Sequence, residues 1–259
     1  MLATSFNLNR YSPRVFTIWG LLAFQAGAIN AGGFLACHRF VTHTTGFATS
    51  FGEEFAQGNF DTAFSMLTVP LFFLLGAMIS GFLVDHQRLL GRQPKYNVIF
   101  GSVAIILFVV TWLGGRGTLG TFGLPIHISS ELPMLTLLCL AAGMQNAAVT
   151  SASGAVVRTT HLTGITTDLG VGLVRVLSHL GLRKDLGQEV KANFMRVVII
   201  ANFIFGSTVG ALLFFHAHFW GFLLPATTSL SLTIYSLVIE HRARRSPADS
   251  AEQQRVKAR

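Results

Sequence analysis

Charged residues are scarce in this chain of 259 residues, of which only 12% are Asp, Glu, Lys or Arg. Soluble domains carry about 25% charged residues. Hydrophobic residues make up 51% of the chain and the mean hydropathy is +0.56, so a water-exposed surface could not cover the apolar side chains. The composition therefore excludes an ordinary soluble domain and predicts a protein whose main solvent is lipid.

Cysteine is also scarce, since Cys37 and Cys139 are the only two and neither belongs to a Cys-x-x-Cys motif. Both lie in or beside apolar segments, which favours small packing residues over a disulfide or a metal site. The sequence has no Walker A, HExxH or GxSxG motif and no acidic pair within an apolar segment. ATP hydrolysis and membrane catalysis are therefore unsupported, and we predict no catalytic residue, no cofactor and no metal.

The positive charge has a simpler explanation than nucleic-acid binding. The formal net charge is +8, and the basic residues lie at the ends of the apolar segments and in the C-terminal tail. The sequence contains no signature of a nucleic-acid-binding module. The predicted partners are therefore the lipid bilayer and a small solute, not nucleic acid. The sequence leaves open whether the chain also forms a homo-oligomer.

Six apolar stretches are long enough to cross a bilayer, whose hydrocarbon core of about 30 Å needs about 20 helical residues. They cover residues 15–35, 66–84, 96–115, 133–157, 197–215 and 219–239, and only residues 216–218 join the last two. The alternative for the first stretch is a cleaved signal peptide, because Arg10 and Arg14 precede it and Ala26-Gly27-Ala28 resembles a cleavage site. We favour a span because the apolar run continues beyond Ala28.

The basic residues predict how the spans are oriented. With six spans, most Lys and Arg residues fall on one side, in residues 1–14, in the loops after the second and fourth spans, and in the tail at 240–259. The connecting loop at 116–132 lies on the other side. The positive-inside rule then places both termini in the cytoplasm. The tail is short, charged and rich in Ser, Ala and Gln, which predicts a disordered segment.

The chain contains an internal repeat, with one copy in residues 15–115 and the other in 133–239. The pattern A-G-x-x-N-A occurs in each half, with Asn30 and Asn146 at its Asn position. It is followed in each half by H-x-T-G-x-x-T-x-x-G, which begins at His43 and at His161. Because each half holds an odd number of spans, the second half is inverted relative to the first, as in many secondary transporters. The predicted fold class is all-α, with six transmembrane helices in two inverted three-helix repeats.

Each half also has a short polar segment between its first and second spans, at residues 44–57 and 163–177. These segments are too short and too polar to cross a membrane, and the Thr and Gly residues at their starts suit a helix N-terminus. We predict two short helices that either re-enter the membrane or lie at its interface.

Polar side chains inside a bilayer need partners or a water-filled cavity, so they mark the candidate site. The residues predicted to bind a solute occupy equivalent positions in the two halves: Asn30, Thr45, Gly46, Asn146, Thr163 and Gly164. The candidates for proton coupling are His43 and His161, which titrate near neutrality, and Asp168, the one acidic residue of the second short segment. The alternatives are helix capping for the His residues and interhelical hydrogen bonding for the Asn residues.

The repeated motifs carry a family resemblance. The second copy, G-M-Q-N-A at residues 143–147 followed by Thr163-Gly164, is its most specific part, and residues 15–239 resemble the YoaK-like family of bacterial inner-membrane proteins. The resemblance implies a bacterial inner-membrane protein from a family of unknown function. The family pattern has Asn where this chain has His43, so the resemblance implies no role for His43.

The sequence thus predicts a secondary transporter or channel-like permease for a small polar or anionic solute, and not an enzyme. The alternative is a membrane-embedded structural or sensory protein, or an enzyme accessory, without transport activity. A central polar cavity would favour the permease. A closed core in which Asn30 and Asn146 are fully paired would favour the structural or sensory protein.

Overall fold

The computed structural model describes residues 13–123, 128–153, 159–179 and 187–257, and every regular element within these ranges is helical. The helices are α1 (Pro13–Cys37), α2 (Thr44–Ala56), α3 (Phe60–Gly81), α4 (Gln87–Leu89), α5 (Tyr96–Gly115), α6 (Ile128–Ser153), α7 (Leu162–His179), α8 (Gly187–Ala217) and α9 (Leu223–Lys257). A π-helical turn at Phe82–His86 joins α3 to α4, and a 3-10 turn at His218–Phe222 joins α8 to α9.

Five helical stretches within the described ranges are long and apolar enough to cross a membrane. They are Arg14–Cys37, Phe60–Leu89, Tyr96–Gly115, Leu132–Ser153 and Gly187–His241. The last stretch is 55 residues long and contains both α8 and α9. For the described residues, the prediction of an all-helical chain with several helices long and apolar enough to cross a membrane is therefore confirmed. The finer count of six depends on how the last stretch crosses.

The helix boundaries differ from the predicted spans because hydrophobicity marks the apolar part of a helix and not its ends. Helix α3 begins at Phe60 and helix α8 at Gly187, before the predicted spans that begin at 66 and 197. The turn that joins α8 to α9 lies at His218–Phe222 and not at the predicted 216–218. The predicted end of the fourth span, at 157, lies outside the described residues. Helix α9 continues to Lys257, whereas composition predicts disorder after 239. The Ala, Arg, Glu and Gln residues there favour helix, and an existing helix is extended without a new nucleation step.

The long helices pack in two equivalent pairs. The two most extensive contacts between helices are α1 with α8 and α6 with α3. The short helices lie against the same partners, α2 on α3 and α7 on α8. Each long pair therefore joins a helix of one half to a helix of the other half, so that the two halves exchange helices.

Both long pairs cross with their backbones close together, as small residues allow. At four glycines, an added Cβ atom would clash with a backbone carbonyl group of the facing helix. The glycines and the residues whose carbonyl groups they meet are Gly27 with Phe203, Gly206 with Phe24, Gly143 with Phe73, and Gly76 with Leu140. The A-G-x-x-N-A motif aligns Gly27 with Gly143 and Phe24 with Leu140. The crossing of α1 with α8 is thus repeated, residue for residue, in the crossing of α6 with α3.

Helices α1 and α6 form the centre of the bundle. Their apolar stretches are 67% and 61% buried, whereas the stretches Phe60–Leu89 and Gly187–His241 are each 22% buried. The outer helices expose large apolar side chains such as Met78 on α3 and Phe215 on α8. Such a surface suits lipid and does not suit water.

The contact between α1, α6 and α9 is polar. The buried Gln25 Nε2 donates hydrogen bonds to Gln145 Oε1 at 2.7 Å and to Ser229 Oγ at 2.6 Å. Gln145 Nε2 donates in turn to the Leu22 carbonyl at 3.0 Å. These bonds connect three helices across the boundary between the two halves.

Candidate functional site

The two copies of the H-x-T-G motif meet at one cavity of about 470 Å³, which is open on one side, since His43, Thr45, His161 and Thr163 are exposed. It lies between the two copies of the motif and is here called the central cavity. The first copy contributes Thr42, His43, Thr44 and Thr45 to its lining. The second copy contributes the equivalent residues, which are Thr160, His161, Leu162 and Thr163. Asn30 of α1, Phe203 of α8 and Phe40 of the loop after α1 complete the lining. Motifs that lie far apart in the sequence therefore form one site.

Each short helix begins at the central cavity. Helix α2 starts at Thr44 and helix α7 at Leu162, and both residues line the cavity. The first N–H groups of a helix have no partner within it and carry a partial positive charge. Neither helix has an acidic residue in its first turn, and no carboxylate is among the described residues that line the cavity. The cavity therefore presents hydrogen-bond donors and no opposing negative charge.

An equivalent hydrogen bond holds the loop before each short helix. Thr42 Oγ1 donates to Asn30 Oδ1 at 2.8 Å, and Thr160 Oγ1 donates to Asn146 Oδ1 at 2.8 Å. These bonds attach the loop before α2 to α1 and the loop before α7 to α6. The sequence analysis missed both Thr residues, although each directly precedes the His of its motif. The full shared pattern is therefore T-H-x-T-G.

Most of the predicted site residues come together here. Five of them line the central cavity, namely Asn30, His43, Thr45, His161 and Thr163. Asn146 is not a lining residue, but it accepts the hydrogen bond of Thr160, which is one. Gly46 lines a smaller neighbouring cavity that shares His43 with the central cavity.

The remaining two predicted residues lie away from the cavity. Gly164 packs under the ring of His161, where an added Cβ atom would clash with Nδ1. Asp168 is exposed on α7 and lines neither of these two cavities. A role for Asp168 in proton coupling stays a prediction that the geometry of the cavity does not support.

The imidazoles of the two motifs line the cavity beside the first turns of the short helices. His43 precedes α2, but its side chain makes no capping hydrogen bond, and its ring lies edge-on to Phe40 with centroids 6.2 Å apart. His161 is exposed and contacts Gly164. Hydroxyl, amide and imidazole groups can bind and orient a polar solute. Across the described ranges, no three His, Cys, Asp or Glu side chains are grouped as a metal site requires.

A polar cluster joins the end of α6 to the helical segment that follows α3. Arg88 donates to the Ser151 carbonyl at 2.8 Å and to the Tyr96 hydroxyl at 2.8 Å. Asp85 accepts a hydrogen bond from Ser151 Oγ at 2.5 Å and lies 3.6 Å from Arg88. From the sequence, Arg88 is only one of the basic residues that orient the chain. The structure shows that Arg88 also connects the C-terminal end of α6 to the segment that follows α3, the helix that pairs with α6.

Comparison with known proteins identifies a family and no function. No curated protein and no solved structure matches the chain. The family model described as a protein of unknown function, DUF1275, matches residues 18–235. The match runs from α1 to α9 and includes both copies of the motifs, which is consistent with the resemblance seen in the sequence. The chain therefore belongs to the DUF1275 family of proteins of unknown function.

Proposed function

We propose that this protein is a permease that carries a small polar or anionic solute across the bacterial inner membrane. The observation that supports this most directly is the central cavity of about 470 Å³, bounded by the polar motifs of both halves. A purely structural membrane protein has no need of such a cavity, whereas a sensory protein would use it to bind a ligand without transport. The permease is therefore favoured over a purely structural role.

Six crossings fit the apolar helices into a bilayer. The stretch Gly187–His241 has 55 residues. A straight helix of that length would extend about 80 Å, against about 30 Å of hydrocarbon. The stretch is interrupted by the turn at His218–Phe222, where His218 has a φ of 48°. We infer that α8 and α9 cross separately, which gives each half three spans.

Three spans in each half imply an inverted repeat. The equivalent crossings of α1 with α8 and of α6 with α3 support a pseudo-two-fold relation between the halves. With an odd number of spans, the axis of that relation lies in the membrane plane. Both termini and the basic loops then lie on the cytoplasmic side, as the positive-inside rule requires.

The Asn–Thr bonds support the assignment of α2 and α7 as re-entrant helices. Asn30 lies seven residues before the end of α1 at Cys37, which is about 10 Å along the helix axis. Asn146 lies seven residues before the end of α6 at Ser153. Because Thr42 and Thr160 reach these side chains, each loop folds back into the bundle before its short helix begins. Both helices then direct their N-termini at the solute, which favours an anion or a polar neutral molecule over a bare cation.

Solute uptake by the purified chain in liposomes tests this proposal, with formate, inorganic phosphate, urea and glycerol as probes. We expect uptake of at least one probe above that of empty liposomes. Thr42→Val and Thr160→Val should each reduce it about tenfold, because a lost hydrogen bond of about 1.5 kcal/mol releases the loop. Thr208→Val is the matched control, because the exposed Thr208 donates to the Ile204 carbonyl of its own helix and lines neither of the two cavities formed by the described residues of the motifs. Absence of uptake by correctly folded protein would favour the structural or sensory alternative.

A further inference from the structure

A smaller cavity of about 200 Å³ adjoins the central cavity and is here called the Arg39 cavity. It is formed by the loop after α1 and the first turns of α2, and its polar lining includes His38, Arg39 and Ser50. Phe40 and His43 line both cavities, so the two cavities share a wall. A solute at Arg39 is therefore next to the central cavity.

Arg39 brings a positive charge to the lining of this cavity. Its Nη1 donates to Ser50 Oγ at 2.9 Å, and no ion pair within the described part of the chain includes it. Glu53 and Glu54 lie within about one turn of Ser50 on α2, but neither forms an ion pair with Arg39 in the described part of the chain, and Glu54 accepts a hydrogen bond from Asn59. A guanidinium group has five N–H donors, of which Ser50 uses one. The others can bind an oxyanion in the bidentate geometry that suits this group.

The repeat architecture does not require an arginine at this position. By the spacing of the two H-x-T-G motifs, the equivalent of Arg39 in the second half is Val157, and the equivalent of Ser50 is Asp168. A basic residue just after α1 also suits the negative end of a helix dipole. However, the hydrogen bond to Ser50 directs the guanidinium to α2 and the cavity, and not to the last carbonyls of α1. The guanidinium is therefore held at the cavity, where its remaining donors can meet a ligand.

We propose that the Arg39 cavity is an anion-selecting vestibule, in which Arg39 binds the charged end of a small oxyanion beside the central cavity. Passage of that anion onward rests on the proposed permease function, whereas its binding at Arg39 does not. The solute class narrows accordingly, from any small polar molecule to a small carboxylate, phosphate or similar oxyanion.

Thermal unfolding of the purified full-length chain in nanodiscs tests anion binding. The two cysteines are free and buried, so a thiol-reactive dye reports unfolding without further labelling. The probes are formate, inorganic phosphate and sulfate as anions, with urea and glycerol as neutral comparisons. A ligand at about ten times its Kd raises the Tm by about 3–5 °C. We expect this shift with at least one anion and with neither neutral probe.

Variants separate binding at Arg39 from the general stabilising effect of salts. Arg39→Gln keeps a donor for Ser50 and removes the charge, so the Kd of the anion should rise about tenfold or more. Arg39→Lys keeps the charge and loses the bidentate geometry, so the Kd of the anion for this variant should rise several-fold. This second variant keeps the test available if Arg39→Gln does not fold. Arg92→Gln, an exposed arginine that lines neither cavity, is the matched control and should leave the shift unchanged.

The vestibule is overturned if none of the anions raises the Tm of the wild type beyond that of the neutral probes. It is also overturned if the Arg39 variants keep the full shift. Uptake measurements distinguish this failure from failure of the permease. Anion binding without uptake leaves the vestibule standing and removes the permease. Uptake of neutral probes alone, unaffected by Arg39→Gln, leaves the permease standing and overturns the vestibule.

Discussion

The close crossing of α1 with α8 predicts a specific effect of Gly27→Ala. The added methyl group would overlap the carbonyl oxygen of Phe203, which belongs to a helix backbone and cannot rotate away. The two helices must separate, and overpacking of this kind costs about 1–3 kcal/mol. The better helix propensity of Ala offsets about 1 kcal/mol of this. We therefore expect a net loss of up to about 2 kcal/mol, which corresponds to a fall in Tm of up to about 8 °C.

The control for this variant is Gly81→Ala. Gly81 also lies in a long apolar helix, but an added Cβ atom there has no neighbour within 4 Å. Its Tm should stay the same or rise slightly, because only the helix propensity changes. Thiol-dye unfolding of the purified protein measures both variants under the same conditions.

The equivalent crossing of α6 with α3 extends this prediction to Gly143→Ala. Gly143 meets the Phe73 carbonyl as Gly27 meets that of Phe203, so the two variants should lose similar stability. Equal Tm values for Gly27→Ala and Gly81→Ala would refute the close crossing itself. A large loss for Gly27→Ala alone, with none for Gly143→Ala, would refute the equivalence of the two crossings.

Two further predictions concern the centre of the bundle and its orientation. Gln25→Leu should destabilise the protein by about 1–3 kcal/mol, because it leaves the buried Oε1 of Gln145 without the donor it accepts from. The double variant with Gln145→Leu should recover part of that loss in the same unfolding assay, and further destabilisation would contradict a direct bond. Reporter fusions after Arg92 and after Arg245 should both report the cytoplasmic side, and a fusion after Arg116 the opposite side. Opposite sides for Arg92 and Arg245 would contradict three spans in each half.

Composition and hydropathy were sufficient to predict helices and their approximate positions, because a bilayer admits few other structures for a chain this apolar. They did not predict which helices pack together. A glycine such as Gly27 indicates that some backbone approaches closely. The identity of that backbone depends on the whole bundle, and the partner is α8 of the other half. A sequence pattern within one helix carries no information on this exchange.

The candidate site was easier to predict than the packing, because its residues are repeated. Asn30, His43 and Thr45 are predicted site residues because the second half has equivalent residues at Asn146, His161 and Thr163, and all three line the central cavity. Thr42 is also repeated, as Thr160, but a motif that is defined from the His residue onward does not include it. By the spacing of the H-x-T-G motifs Arg39 aligns with Val157, and the basic residue of the second copy, Arg158, is shifted by one position, so the comparison of the two halves does not select Arg39. Its place beside the cavity depends on how the loop after α1 folds back.

The difference between repeated and unrepeated residues also separates two roles in the proposed permease. Two identical halves in an inverted repeat would give inward-facing and outward-facing states of equal free energy, because the two-fold rotation that exchanges the halves converts one state into the other. The residues common to both halves, such as Asn30 with Thr42 and Asn146 with Thr160, therefore build the cavity without favouring either state. A preference for one state, and for binding from one side, must come from positions where the repeat is broken. Arg39 is such a position and lies at the cavity wall, so its replacement should change the sidedness of anion binding as well as its affinity.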